Sequence, residues 1–289
     1  MIISFDGPMD LPNTIKSGQA FRWRQDGKET EAGEAWFSGV VFDSIVTIRH
    51  VRGGIEIRCA TGEAEEVAPL LRDYLRLNDP LDDICRSIDL DEHIRSAMTR
   101  YSGMRLLRQD PWECLVSFIC SATSNIPRIS GNVEEMASHF GRRLANGGDA
   151  RHAFPRPGEL AEAGEQRLRD LGLGFRAKYL APVARMVADG EVDLFALREA
   201  DYSDGLETLT SLPGVGDKVA NCVLLFSLDK LEAFPVDVWV RRALQEWYGV
   251  DREKKLSDVD QRRWAQDYFG SYAGYANQYL FHSRRLMGR

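Results

Sequence analysis

The run Leu212-Pro213-Gly214-Val215-Gly216-Asp217-Lys218-Val219-Ala220-Asn221-Cys222 organises this chain. A helix-forming segment precedes it, from about Gly205 to Thr210, and an apolar run follows it to about Leu228. This spacing predicts a helix, a tight glycine-rich hairpin and a second helix. Gly214 and Gly216 permit backbone geometry that other residues resist. Their amides, with the start of the second helix, can face a phosphate. The element reads as a helix-hairpin-helix grip on a DNA backbone, with Lys218 at its edge.

The rest of the composition narrows the setting. The chain has 289 residues, 44% of them hydrophobic, enough for one large domain or two to three small ones. It carries 37 Lys and Arg against 44 Asp and Glu, a formal net charge of -7. A broad positive field is therefore absent, and any DNA contact must be local and positioned. Cys59, Cys85, Cys114, Cys120 and Cys222 form no CxxC pair, which gives no zinc ribbon and no iron-sulfur run. They read as reduced thiols, mostly in the core. HExxH, Walker A and zinc-deaminase patterns are missing. With no signal peptide or long apolar span visible, the expected location is cytoplasmic, and nucleoid-associated if the cell is prokaryotic.

Outward from the hairpin, residues 1 to about 78 are strand-rich. Trp36 to Val41 and Ile45 to Ile48 flank an Asp43-Ser44 turn, and Gly53-Gly54 leads into an alternating Ile55 to Cys59. An antiparallel sheet is expected, with a helix from Glu65 to Leu77 packed on it. Ser17-Gly18-Gln19-Ala20-Phe21-Arg22-Trp23 precedes the sheet. Gly18 there serves either turn geometry or close backbone approach to a ligand. The polar break at 78–83 sets the expected boundary between a β-rich domain, 1–83, and a helical region of two packed subdomains, 84–289.

In that helical region, helices are expected at 90–101, 111–121 and 132–140. In the second, Trp112, Leu115, Val116, Phe118 and Ile119 make a buried face. A helix ends and restarts between Cys120 and Ile129, where Arg128 is either a solvated residue or a reader of base or phosphate. Residues 147–157 read as a surface loop. A second glycine corner falls within 168–187, and Phe175 and Arg176 follow its glycines. They are either a core aromatic beside a surface arginine, or a wedge and its partner pressed into a duplex. Residues 251–263 read as charged and solvated. The last helix is expected over 272–283, with Tyr275, Tyr279 and Phe281 available for packing or ligand stacking.

The chemistry gathers on three residues. A neutral lysine at 218 is a nucleophile that can form a Schiff base. Cys222, four residues on, shares its helix face and is either a pocket floor or a small core residue. Asp237 lies where a helix can begin. Its carboxylate can cap free amides, or stabilise positive charge on a sugar as a base leaves. One lysine and one aspartate suffice for base excision followed by imine chemistry.

At these residues the sequence resembles the 8-oxoguanine DNA glycosylase/AP lyases of the helix-hairpin-helix (HhH-GPD) superfamily. The resemblance runs through SGQAFRW at 17–23, LLRQDPWECLVSFICS at 106–121, LGLGFRAKY at 171–179, LPGVGDKVANC at 212–222, PVDV at 235–238 and AGYANQYLF at 273–281. It implies an α+β fold, with a TATA-binding-protein-like antiparallel sheet and helices before a mainly helical core. It implies Lys218 as the nucleophile at the sugar C1′ and Asp237 as the catalytic aspartate. Gly18 falls on the glycine whose carbonyl accepts the N7 hydrogen of 8-oxoguanine, a hydrogen that guanine lacks. Phe281 and Cys222 fall on the pair that sandwiches the flipped base. Arg128 and Arg176 fall on readers of the orphaned cytosine, and Phe175 on the wedge.

Three positions depart from the pattern of the animal enzymes. Thr123 replaces an asparagine that fills the vacated space, Trp239 a histidine near the phosphate, and Asn277 a glutamine that reads the damaged base. The implied partner is double-stranded DNA containing oxidised guanine, bound by a monomer with no membrane association. The chemistry needs no organic cofactor, although a mono- or divalent cation can sit on the hairpin carbonyls. The rival readings are an HhH glycosylase for another damaged base and a noncatalytic HhH DNA-binding protein.

Overall fold

A computed structural model of the chain describes residues 1–27, 35–60, 63–144, 151–251 and 255–288. Its first unit is a five-stranded antiparallel sheet in the order β1 (Ile2–Ile3), β5 (Gly54–Cys59), β4 (Ser44–Val51), β3 (Trp36–Val41), β2 (Arg24–Asp26). Side chains alternate across a pleat. Phe37, Val46, Ile48, Ile55 and Ile57 therefore face one way and form a core with Val67, Leu71 and Leu75. The last three belong to or directly follow α2 (Ala64–Tyr74), which follows α1 (Leu11–Lys16) in the chain. Burying each large aliphatic contributes about 1.5–3 kcal/mol.

Two details of the sheet differ from expectation. Val41 pairs with Ser44, so the turn residues are Phe42 and Asp43, with Phe42 at φ +51°. The edge strands β1 and β2 are too short to show an alternation in sequence.

The helical part comprises α3 (Leu81–Ile88), α4 (Glu92–Arg100), α5 (Pro111–Ile119), α6 (Ile126–Phe140), α7 (Pro157–Leu168), α8 (Ala177–Ala188), α9 (Tyr202–Ser211), α10 (Asp217–Ser227), α11 (Val238–Trp247), α12 (Asp258–Phe269) and α13 (Ala273–Met287). Helix α3 starts inside the expected polar break, because Leu81, Ile84 and Ile88 form a buried stripe. The expected loop at 147–157 lies partly outside the described residues, and Arg151–His152 within it forms a strand paired with Arg143–Leu144. Arg262, in the stretch expected to be solvated, is only 5% exposed.

Helix α10 positions everything else. Val219 to Ser227 are all buried, so this helix is wrapped on every side, with α5 against it and α9 before it. A helix apolar all round belongs in a core. Its first turn alone reaches the surface, and Lys218 sits there. Helix α13 packs on α3, α4 and α11, joining the start of the helical region to its end. Phe21 crosses from the sheet region into the helical core and meets Phe118 edge-on at 5.6 Å.

Candidate active site

The hairpin between α9 and α10 is held by its surroundings. Gly214 has φ +76°, and a methyl built there would stand 2.5 Å from Tyr179 Cγ. Both facts require glycine. Gly216 differs from the sequence argument. Its φ of -95° is ordinary extended backbone, and a methyl there would meet no protein atom within 4 Å. Asp217, next in line, is clamped by Arg262 of α12, whose Nε donates to both carboxylate oxygens at 3.1 Å. Asn221 locks the same turn by donating to Asp217 O at 2.8 Å and accepting from Tyr202 OH at 2.7 Å.

Lys218 Nζ donates to Ser121 Oγ at 3.0 Å and stands 5.0 Å from the Phe118 ring centroid. Cys222 lies one turn deeper. Burial pushes its thiol up to about 11, and the nearby Asp237 charge adds to the rise, while Lys218 opposes it. Cys222 is thus a neutral, apolar wall at neutral pH.

Asp237 caps α11, with Oδ1 accepting from Trp239 N at 2.9 Å and Val240 N at 2.8 Å. The capping role weighed from sequence is therefore present, and it coexists with a place in the cavity. Burial raises the Asp237 pKa above the usual aspartate value, against the pull of the two amides, Lys218 and Arg241. The Trp239 ring lies half-buried beside Gly288 and under Arg242.

Gly18 comes from the opposite side. Its φ is +83°, and a methyl there would stand 2.8 Å from Ile126 Cδ1. The loop is fixed on two sides. Gln19 Nε2 donates to Arg105 O at 2.9 Å and its Oε1 accepts from Leu107 N at 2.8 Å. Ser17 O accepts from Gln278 Nε2 of α13 at 3.2 Å.

These elements enclose a cavity of about 620 Å³ whose walls include Gly18, Lys218, Cys222, Asp237, Asn277 and Phe281. Thr123 and Trp239 also border it. Asn277 carries a task the sequence did not suggest: its Nδ2 donates to Pro235 O at 3.0 Å, tying down the loop before Asp237. Tyr275 and Tyr279 are buried away from the cavity and bond Asp79 and Met104 O.

The remaining candidates lie outside the cavity walls. Phe175 is 44% exposed, with the Arg176 guanidinium 4.8 Å from its ring centroid. Arg176 itself is buried. It donates to Ala122 O and, at 3.0 Å, to Thr123 O. It thereby holds a turn in which Thr123 has φ +50°, a costly conformation for a β-branched residue. Burial and the charge of Arg128 lower the Arg176 pKa. Arg128 is exposed in the first turn of α6, where its backbone N–H is capped by Asn125 Oδ1 at 3.0 Å.

Two family models cover most of this architecture. Residues 2–115 match the 8-oxoguanine DNA glycosylase N-terminal domain, and residues 116–266 match the HhH-GPD superfamily base excision DNA repair protein. The chain belongs to the OGG1-type HhH-GPD DNA glycosylase/AP lyase family. Among its relatives is the N-glycosylase/DNA lyase OGG1 of Arabidopsis thaliana, 32% identical over 94% of this chain and 76% of that protein. Among solved structures, the Clostridium acetobutylicum 8-oxoguanine glycosylase/lyase in complex with double-stranded DNA containing cytosine opposite 8-oxoG superposes with a TM-score of 0.89. It is 30% identical, covering 100% of this chain and 99% of the other. A structure of MBOgg1 in complex with a low affinity DNA ligand gives 0.90 at 34% identity, over 100% and 96% of the two chains.

Within this family member, sequence reasoning missed two neighbours of the site. Ser121, the partner of Lys218, lies in a polar cluster that had read only as a helix end. Arg285, also on the cavity wall, carried no signal beyond its place one turn after Phe281. Among the described residues, no group of three or more His, Cys, Asp or Glu is placed to hold a metal, and no helix is long and apolar enough to cross a membrane.

Proposed function

We propose that this chain removes 8-oxoguanine from double-stranded DNA and then cleaves the strand as an AP lyase, in base excision repair. The observation that carries the reading is the convergence of Lys218, Asp237, Cys222, Gly18 and Phe281 on one cavity from four separate elements. Extruding a nucleotide costs a few kcal/mol. Phe175, exposed at a glycine corner, is the wedge that fills the vacated stack. The hairpin amides grip the backbone phosphate, for which the open space at Gly216 leaves room.

In the pocket, the free amine of Lys218 attacks C1′ and the bond to the base breaks. The base departs with the bonding pair and takes up a proton. Asp237 stabilises the positive charge that develops on the sugar, and its carboxylate accepts the proton released by the amine. The nitrogen lone pair then breaks the C1′–O4′ bond, O4′ takes up a proton as the sugar ring opens, and the resulting imine acidifies the C2′ proton. Its loss expels the 3′ phosphate in a β-elimination. Gly18 and the Phe281–Cys222 sandwich select the base, and Asn277 contributes from a fixed position. Arg128 and Arg176 favour cytosine opposite the lesion. Arg176 must exchange a bond to the Ala122–Thr123 turn to do so.

The test is time-resolved cleavage of 8-oxoguanine duplexes bearing each of the four opposite bases, with and without borohydride. Excision fastest opposite cytosine, with borohydride-trapped intermediates, is expected. Equal rates opposite all four bases would overturn the cytosine preference, and binding without product would overturn the enzymatic reading.

A further inference from the structure

One wall of the cavity carries a charged group that the reaction above does not use. Arg285 is 7% exposed and lines the cavity from α13, one turn after Phe281. Its guanidinium lies 5.2 Å from the Phe281 ring centroid. Its orientation is fixed. Nη2 donates to Lys16 O at 3.0 Å and contacts His282 Nδ1 at 3.1 Å. A guanidinium only donates, so Nδ1 accepts and the imidazole proton is on Nε2, which donates to Asn13 Oδ1 at 2.9 Å. Burial and the charges of Arg285 and Arg100 lower the His282 pKa to about 4, which keeps this tautomer neutral. Both anchors, Lys16 and Asn13, belong to α1, the helix that leads into the Gly18 loop.

This tether turns the other nitrogen, Nη1, toward Gly18. A methyl built on Gly18 would stand 3.1 Å from Arg285 Nη1 and 3.5 Å from Phe281 Cε1. The Gly18 backbone and a guanidinium donor are thus neighbours, next to the ring on which a base would stack. We infer that Arg285 Nη1 recognises the oxygen at C8 of the extruded base while the Gly18 carbonyl takes the adjacent N7 hydrogen.

The assignment rests on the proposed function and deepens it. An 8-oxopurine presents a donor at N7 and an acceptor at C8 next to each other. Guanine presents an acceptor at N7 and a C–H at C8, so it matches neither partner in this register. Arg285 then supplies an attractive contact made only by the damaged base. The ligand class is a purine, or a ring-opened purine, with an oxygen at this position.

The experiment is a cycle between protein and substrate. Single-turnover excision is measured for 8-oxoguanine and for its 8-thioxo analogue, which keeps N7–H but offers sulfur, a poor acceptor. Wild type, Arg285→Met and Arg285→Lys are compared, with trapping on a preformed abasic site reporting folded enzyme in each. A bond to a charged donor predicts that Arg285→Met lowers the oxygen-to-sulfur rate ratio on the order of 10- to 100-fold. Arg285→Lys keeps a donor with less reach and should fall between. A merely structural role slows both lesions alike, and an unchanged ratio in both variants would overturn the assignment. A wild-type protein inert on both lesions but binding their duplexes would instead overturn the functional reading beneath it.

Discussion

The two hairpin glycines do different jobs, and one pair of substitutions separates them. Gly214→Ala meets two costs. At φ +76° an L-residue loses roughly 1–2 kcal/mol relative to glycine. Its methyl would also stand 2.5 to 2.9 Å from three atoms of Tyr179, a ring packed on the helical core. Relieving that overlap costs about 1–3 kcal/mol more. The sum, roughly 2–5 kcal/mol, is a large part of a typical domain's stability. Gly216→Ala meets neither cost. Its φ is -95°, its methyl points into open space, and the loss of a glycine cap is worth a few tenths of a kcal/mol to about 1. That open space is where a phosphate would approach the α10 amides, so the methyl should weaken DNA binding in a stable protein. Urea unfolding and fluorescence-anisotropy titration with duplex DNA measure the two effects. Gly214→Ala should lose stability, and Gly216→Ala should lose affinity at near wild-type stability. A stable Gly214→Ala protein would refute the packing argument, and a tight-binding Gly216→Ala protein would refute the phosphate grip.

Two further substitutions probe the cavity's rim and floor. Thr123→Asn should stabilise the protein by about 1 kcal/mol, seen as a higher Tm, because asparagine tolerates φ +50° better than threonine; a lower Tm would contradict the strain argument. Asp237→Asn keeps an equivalent cap on α11 but removes the charge, so folding and DNA binding should persist while excision slows. Because burial raises the Asp237 pKa, its carboxylate protonates at a higher pH than a free aspartate, and wild-type excision should fall with acidification before that ordinary range is reached. Single-turnover rates against pH should show this acid limb in wild type and lack it in Asp237→Asn; the same limb in both would reassign it.

Much of this site was legible because its chemistry is local. Gly214, Lys218 and Cys222 sit within one hairpin and two turns of helix, and Asp237 follows a proline at a helix start. Gly18 was legible as an oddity, a glycine in a loop ahead of the sheet. Contacts between distant segments were not. Ser121 and Lys218 are 97 positions apart, and nothing in either stretch points to the other. Arg262 read as solvated because its neighbours are charged, yet Asp217, 45 positions away, pulls it into the core. Helix α3 was hidden by the polar residues 78–83, although Leu81, Ile84 and Ile88 already had helical spacing. Arg176 shows the limit of a two-way choice: it is buried like a core residue, but spends its charge on the carbonyls of the turn that carries Thr123.

The central claim is that Lys218 forms the covalent link to DNA. Borohydride reduction during turnover of an 8-oxoguanine–cytosine duplex, followed by peptide mapping by mass spectrometry, tests it directly. The adduct should map to Lys218 and vanish in Lys218→Gln. Undiminished trapping in that variant, or an adduct on another residue, would contradict the account.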